Sequence, residues 1–187
     1  MVLRHLPAAG YDTQPWKNGQ GVTDEVLLLP EGASRDGFDL RISRAGIDAR
    51  GLFSTFPGAD RIITVIEGAG LRLDFGDRSV TLDPLEPFAF DTGLTPDGIP
   101  LGPGVRVFNV MASRKVWTLS PARVLREGGV KTDAAMTVVF ALAAKVQIDE
   151  ASAHLLLCTG DTALVGQGAS VTGLALVVPL TPSPSRG

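Results

Sequence analysis

The chain is poor in the residues that carry most enzyme chemistry. Of its 187 residues one is cysteine, Cys158, two are histidine, His5 and His154, and one is tyrosine. A single cysteine excludes an internal disulfide, and its place after Leu155, Leu156 and Leu157 reads as a buried, inert thiol in a reducing compartment. Basic residues do not cluster: 17 Lys and Arg against 20 Asp and Glu give a formal net charge of −3, without the positive patch of a nucleic-acid binder. No apolar run approaches the ~20 residues that cross a bilayer, and the N-terminus lacks the uninterrupted apolar stretch of a signal peptide. The expectation is a cytoplasmic protein with no nucleic-acid and no membrane partner. Small solutes or proteins are the partners it suits, and a homodimer is left open.

Glycine and proline, by contrast, are plentiful, at 22 and 13 residues in a chain that is 44% hydrophobic. Short runs of Val, Ile, Leu and Phe alternate with Gly, Pro and Asp clusters from Val22 to Leu180, which is the pattern of many short strands and predicts an all-β class. The predicted strands are Val22–Leu29, Phe38–Ala45, Arg61–Glu67, Gly70–Phe75, Ser79–Leu82, Pro87–Phe90, Val105–Ala112, Val116–Leu119, Thr137–Gln147, His154–Cys158, Thr162–Val165 and Val171–Pro179. Helical periodicity is nowhere sustained. The polar, Gly-bearing stretch Ala122–Ala135 is the candidate connection between two strand-rich blocks, and residues 181–187 read as a loose tail. Residues 64–73 and 155–164 look like faint echoes of each other, each an apolar strand, a Gly-containing turn and a second strand.

The densest cluster of polar groups runs from Pro15 to Glu25. Gly19 and Gly21 free the backbone to approach a ligand, while Trp16, Lys17, Asn18, Thr23 and Glu25 supply an aromatic face, a cation, an amide, a hydroxyl and a carboxylate. Side chains at i and i+2 share a strand face. Arg41 and Ser43 therefore fall together, Asn109 lies with Val107 and Met111, and Arg61 lies with Ile63, Val65 and Glu67. Such a mixed face lines a pocket if it points inward, or meets water as the ordinary polar face of an antiparallel sheet.

The run from Arg61 to Phe90 resembles the cupin pattern: an apolar strand, a Glu-Gly-x-Gly turn, and a second strand. More narrowly, four segments in order resemble the HutD family: Trp16 to Glu25, Arg41-Ile42-Ser43, Phe53 to Arg61, and Asn109-Val110-Met111. Gln20, Asp24 and Phe108 depart from that family's pattern. The resemblance implies a bicupin, two small antiparallel β-barrels of jelly-roll type in one chain. Its N-terminal barrel would span residues 1–114 and carry the pocket, its C-terminal one 115–180. It also implies an accessory, modulating role in histidine utilisation, with formylglutamate or urocanate as ligand.

Metal-dependent cupins use a His-x-His pair, a Glu and a later His, and the two histidines here lie far from where that pair would stand. Arg61 occupies about the position of the metal-ligand Glu, so no metal and no cofactor are expected. A guanidinium binds carboxylates bidentately and stays charged at working pH. The expected ligand is thus a small-molecule carboxylate. Arg61, Arg41 and Lys17 together could hold a dicarboxylate, with Asn18, Ser43, Thr23 and Asn109 completing the hydrogen bonds and Trp16, Phe53, Phe56 and Met111 excluding water. Glu25 would pair with one of the cations or accept from the ligand. The plainer alternatives are an Arg61 bridge to Asp60 or Glu67, a solvated Lys17, and histidines that serve only as surface or core residues. Three functions stay open: a carboxylate-binding modulator, a metal-independent isomerase or hydrolase using Glu25 and Lys17, and a protein-interaction scaffold.

Overall fold

The computed structural model describes residues 4–15 and 21–184. Its first strands are β1 (Arg4–Leu6), β2 (Asp12–Pro15), β3 (Val22–Leu29), β4 (Leu40–Ile47), β5 (Gly51–Leu52), β6 (Ala59–Glu67) and β7 (Leu71–Asp74). They are followed by β8 (Ser79–Leu82), β9 (Phe88–Asp91), β10 (Asp97–Pro100), β11 (Val105–Ser113), β12 (Trp117–Leu119), β13 (Arg123–Leu125) and β14 (Gly129–Lys131). The last are β15 (Met136–Ala141), β16 (Val146–Glu150), β17 (Ala153–Leu157), β18 (Thr162–Val165), β19 (Ser170–Thr172) and β20 (Ala175–Pro182). The fold is all-β; the one helical turn among the described residues is the 3-10 segment Ala8–Gly10. No helix is long and apolar enough to cross a membrane.

Two compact units form, Asp12–Trp117 and a second made of residues 4–11 with 118–184. In the first, a six-stranded sheet ordered β2-β3-β4-β11-β6-β9 accompanies a four-stranded sheet ordered β5-β10-β7-β8. In the second, β1-β18-β15-β20-β12, with β13 also on β20, accompanies β14-β19-β16-β17. Each unit has its own apolar interior. Ala45, Ile47, Ile63, Val65, Leu71, Leu73, Leu82, Phe90, Val105 and Val107 fill the first, and Val139, Ala141, Val146, Ile148, Leu157, Ala163, Val165 and Val171 are in the second. Burial of such side chains contributes roughly 1.5–3 kcal/mol each before entropy is counted.

The second unit repeats much of the first. Strands β13, β20, β15 and β18 neighbour one another as β4, β11, β6 and β9 do, and β14-β19-β16-β17 matches β5-β10-β7-β8. The tight turn after β6 shows why glycine is needed: Gly68 has φ +91° and a Cβ there would stand 2.8 Å from Val105 Cα. Gly173, at φ +111°, faces Val146 Cα at 3.1 Å. Residues 64–73 span β6 and β7, whose counterparts are β15 and β16. The echo expected at residues 155–164 falls on β17 and β18, counterparts of β8 and β9, so it aligned hairpins that are not equivalent.

Several expectations need correcting. No single sheet is closed on itself; each unit is a pair of open sheets whose edge strands are two to five residues long. Residues 4–11 sit with the C-terminal unit, since β1 pairs with β18 in the register Arg4 to Leu164, His5 to Ala163 and Leu6 to Thr162. The stretch 122–135 contains β13 and β14 and is not a bare connection. The predicted strand Thr137–Gln147 breaks at residues 142–145, where Lys145 takes φ +68°. The strand expected over 171–179 breaks at Gly173, and β20 continues to Pro182. Cys158 is exposed, not buried, because it follows the last residue of β17 and enters the turn to β18.

Asp161 ties the N-terminal strand down. Its carboxylate accepts from the Ala8 amide at 2.9 Å, the Cys158 amide at 3.0 Å and the His5 ring at 3.0 Å. Tyr11 adds a bond from its hydroxyl to the Gly160 carbonyl at 2.7 Å. Burial alone would push the Asp161 carboxyl up, but the bonds from Ala8, His5 and Cys158 outweigh it and hold the group below its ordinary value. A carboxyl lowered in the folded state contributes stability above its unfolded pKa and loses it as pH falls through the folded one. Asp161→Ala is therefore expected to cost roughly 1.5–3 kcal/mol in urea unfolding at neutral pH. The difference from wild type should shrink as the pH falls below the ordinary carboxylate range; an unchanged gap at acid pH would refute the assignment.

Candidate functional site

The six-stranded sheet of the Asp12–Trp117 unit changes character along one face. Register places Arg41 opposite Met111, Met111 opposite Arg61, and Arg61 opposite Phe90, so these four residues form a row across β4, β11, β6 and β9. The next row on the same face is Ser43, Asn109 and Ile63, with Glu25 opposite Ser43. Beyond it come Ala45, Val107 and Val65, which belong to the apolar interior. The inner face is thus polar at one end and apolar at the other.

A cavity of about 580 Å³ opens over the polar end. Among the residues predicted for the site, Thr23, Arg41, Ser43, Phe53, Phe56, Arg61, Asn109 and Met111 line it. Glu25 is not part of its wall; it holds Arg41 in place. Trp16, Lys17 and Asn18 lie outside the described residues. Gln14, Arg35, Asp36, Leu52, Ser54 and Thr55 also line the cavity, and none of them was among the expected site residues. Gln14 was within reach of a register argument, because it pairs with Thr23. Arg35 sits between strands β3 and β4, where no periodicity marks it.

Arg61 is the unusual group. It is 3% exposed, and no carboxylate pairs with it among the described residues. Asp60 is held instead by Arg114 at 2.9 Å, and Glu67 lies 3.8 Å from Arg106. The Arg61 guanidinium sits near three phenyl rings, 5.2 Å from the centroid of Phe53, 5.4 Å from Phe90 and 6.0 Å from Phe56. A terminal nitrogen makes a long 3.5 Å bond to the Ser54 carbonyl, and Nε has no partner. Burial, then the nearby charge of Arg41, lowers its pKa from the ordinary guanidinium range to about 10. That corresponds to roughly 3 kcal/mol acting against the charged form, which still prevails at neutral pH. Asn109, 4% exposed, leaves Oδ1 without a partner.

Arg41 is treated differently. Its Nε donates to both oxygens of Glu25, at 3.0 and 3.2 Å, and a terminal nitrogen donates to Oε2 at 3.0 Å. Arg35 Nε lies 3.5 Å from the same oxygen, and its terminal nitrogen donates to Gln14. Strand β3 is oriented for this by Asp24 on its opposite face, which accepts from Thr13 at 2.6 Å and from Arg44 at 2.8 Å. Burial pushes the Asp24 carboxyl up, but those two bonds and the charges of Arg44 and Arg106 more than offset it, and its pKa lies below the usual value.

The aromatic cover is pinned by backbone. Phe53 donates to the Pro96 carbonyl and Phe56 to that of Thr92, each at 3.0 Å, and the buried Thr92 hydroxyl donates to the carbonyls of Phe56 and Ala59. Phe38 packs edge-on to Phe56 with centroids 5.6 Å apart. Gly98 makes room for Phe53: a Cβ at that position would come within 2.7 Å of the ring.

Both histidines belong to the other unit, where His5 meets Asp161 and His154 an exposed Asp149 at 2.7 Å. No cluster of three or more His, Cys, Asp or Glu among the described residues is placed to hold a metal ion. The donor set of the cavity, guanidinium, amide and hydroxyl, suits an anion.

Known proteins resemble this chain throughout its length. The HutD family model matches residues 8–178. An uncharacterised 21.2 kDa protein of the hutC 3′ region of Pseudomonas putida is 43% identical over 110 residues, which are 58% of this chain and 57% of that protein. That match therefore spans little more than half the relative's length. HutD from Pseudomonas fluorescens SBW25 superposes with a TM-score of 0.83 at 30% identity, covering 98% of this chain and 100% of that one. Ylba from Escherichia coli has a TM-score of 0.71 at 9% identity over 97% of this chain and 90% of its own, and shares the cupin-like fold alone. With the family model matched over most of its residues, the chain belongs to the HutD family.

Proposed function

We propose that this protein binds a small carboxylate in the Asp12–Trp117 unit and through it modulates histidine utilisation, with formylglutamate or urocanate as ligand. The observation that carries this reading is Arg61, a lining residue of the cavity that is 3% exposed, has no carboxylate partner among the described residues and leaves its buried Nε unpaired. A ligand carboxylate would pair with it, and Asn109 would meet a polar neighbour of that carboxylate. Family membership and the hutC-region relative support the link to histidine utilisation. In this reading each pair of open sheets makes up one jelly-roll barrel of a bicupin, the protein works in the cytoplasm, and no metal is needed. Glu25 is a poor general base, since Arg41 engages both of its oxygens.

Titration with urocanate, formylglutamate and glutamate by calorimetry tests this, with metal analysis of the same sample. Saturable binding without turnover is expected; binding to none of the three would overturn the reading, as would activity that tracks stoichiometric Fe, Mn, Ni or Zn. Arg61→Met should weaken binding by roughly 10- to 150-fold, the value of a charge-assisted bond of about 1.5–3 kcal/mol. In the unliganded protein the same change should raise the melting temperature, because it removes an uncompensated buried charge. A structural arginine would show the reverse, a stability loss with no binding defect.

The pH dependence has a definite sign. Arg61 has a folded pKa of about 10, below the ordinary guanidinium range, so the folded state carries the full cost of the charge below 10 and sheds it as pH rises above that value. Affinity for an ionised carboxylate should be flat across neutral pH and fall as pH approaches 10 and beyond. Gly98→Ala supplies a separate check. The Phe53 ring must move to admit the new methyl, so binding should weaken several-fold while Arg61 stays in place; unaltered affinity would remove Phe53 from the site.

A further inference from the structure

We propose that Glu25 limits the buried end of this cavity to one carboxylate, by occupying Arg41 from within the chain; the proposal rests on the anion-binding reading above. Arg41 and Arg61 stand on β4 and β6, on either side of β11, and both face Met111. Two strand spacings put their Cα atoms roughly 10 Å apart. The two guanidiniums also share a cover, since Phe56 lies 5.3 Å from Arg41 and 6.0 Å from Arg61. They are 7% and 3% exposed, so neither is neutralised by bulk water.

Against these two buried cations the described part of the site sets one carboxylate that pairs with either, the partly buried Glu25, and it is committed. Glu25 takes the Nε and a terminal nitrogen of Arg41, and the half-exposed Arg35 braces it at 3.5 Å. The Arg41–Glu25 pair is thus neutral as a whole, and Arg41 has only its remaining N–H groups to offer. One ligand carboxylate on Arg61 completes the pairing of the two guanidiniums. A second carboxylate at the same end would have to displace Glu25 from Arg41, or else lie beside its negative charge, where like charges in a poorly solvated site repel strongly. Glu25 therefore stands where the second carboxylate of a compact diacid would bind.

The test compares propionate with malonate and succinate, diacids too short to carry their second carboxylate far from the buried end. Calorimetry at neutral pH and fixed ionic strength keeps screening constant. Wild-type protein should bind propionate at least tenfold more tightly than either diacid. In Glu25→Gln the ratio should move by tenfold or more toward a diacid, because Arg41 is released with its shape neighbour kept. Glu25→Asp, which keeps the charge, should retain the wild-type order, and thermal unfolding reports that each variant is folded. A wild-type preference for malonate or succinate overturns the proposal without any variant, and so does a folded Glu25→Gln protein whose ratio is unmoved. If wild type binds propionate and Arg61→Met does not, the anion-site reading stands whichever way the diacids behave. Binding of none of these acids defeats that reading and this proposal together.

Discussion

A guanidinium held away from water without a counter-ion is costly, and among its described residues the Asp12–Trp117 unit holds one. Arg61 loses roughly 3 kcal/mol of preference for its charged form, yet it remains charged at neutral pH. Three phenyl rings offset part of the lost hydration through their negative faces, each worth ~0.5–2 kcal/mol in such an arrangement. They cannot accept hydrogen bonds as a carboxylate does. Among the described residues Arg61 Nε therefore lacks an acceptor, and the proposed anion would supply one with lone pairs in the plane of the guanidinium.

The sheet makes this placement possible. Strand alternation carries polar and apolar residues on one face, and the turn from one to the other is abrupt: Arg61 and Ile63 are successive inward residues of β6, as are Met111, Asn109 and Val107 of β11. The apolar end anchors the strands, so the polar end need not hold itself together. Met111 separates the two arginines by a full strand and keeps their repulsion moderate. The 53–58 segment, tied to residues 92–96 by backbone bonds, delivers Phe53 and Phe56 as a fixed cover in place of flexible side chains.

Much of this was legible beforehand, for identifiable reasons. Long strands rich in β-branched residues announced themselves, and β3, β8 and β18 have the bounds that the pattern gave. Strand parity sorted Arg41 with Ser43 and Asn109 with Met111. Short polar strands such as β1, β5, β10 and β14 were not legible, because they owe their pairing to partners distant in sequence and have too few apolar residues to show a period. The runs broken at Lys145 and Gly173 were joined for the opposite reason, since apolar residues continue through their turns. Parity also could not tell which cation Glu25 would choose. That depended on the β3–β4 register, in which Glu25 faces Ser43 and a register shift follows between Glu25 and Leu27. Arg35 reaches Glu25 from an irregular segment, and nothing local encodes that meeting.

The two units show how far topology alone goes. Strands β15, β18 and β20 repeat the arrangement of β6, β9 and β11, but their inward positions carry Thr137, Val139, Ala141, Ala163, Val165, Ala175 and Val177. Small and β-branched residues there close the interior with dispersion contacts, and no charge interrupts them. In the Asp12–Trp117 unit, Arg41, Ser43, Arg61 and Asn109 give up that packing and leave a cavity in its place. The second unit buries polar groups too, among them Thr137 and Glu150, but the inward face of β15, β18 and β20 carries no cation, whereas the matching face of the first unit holds Arg61. The chemistry of the molecule follows from a handful of side chains on one sheet face, not from the fold that both units share.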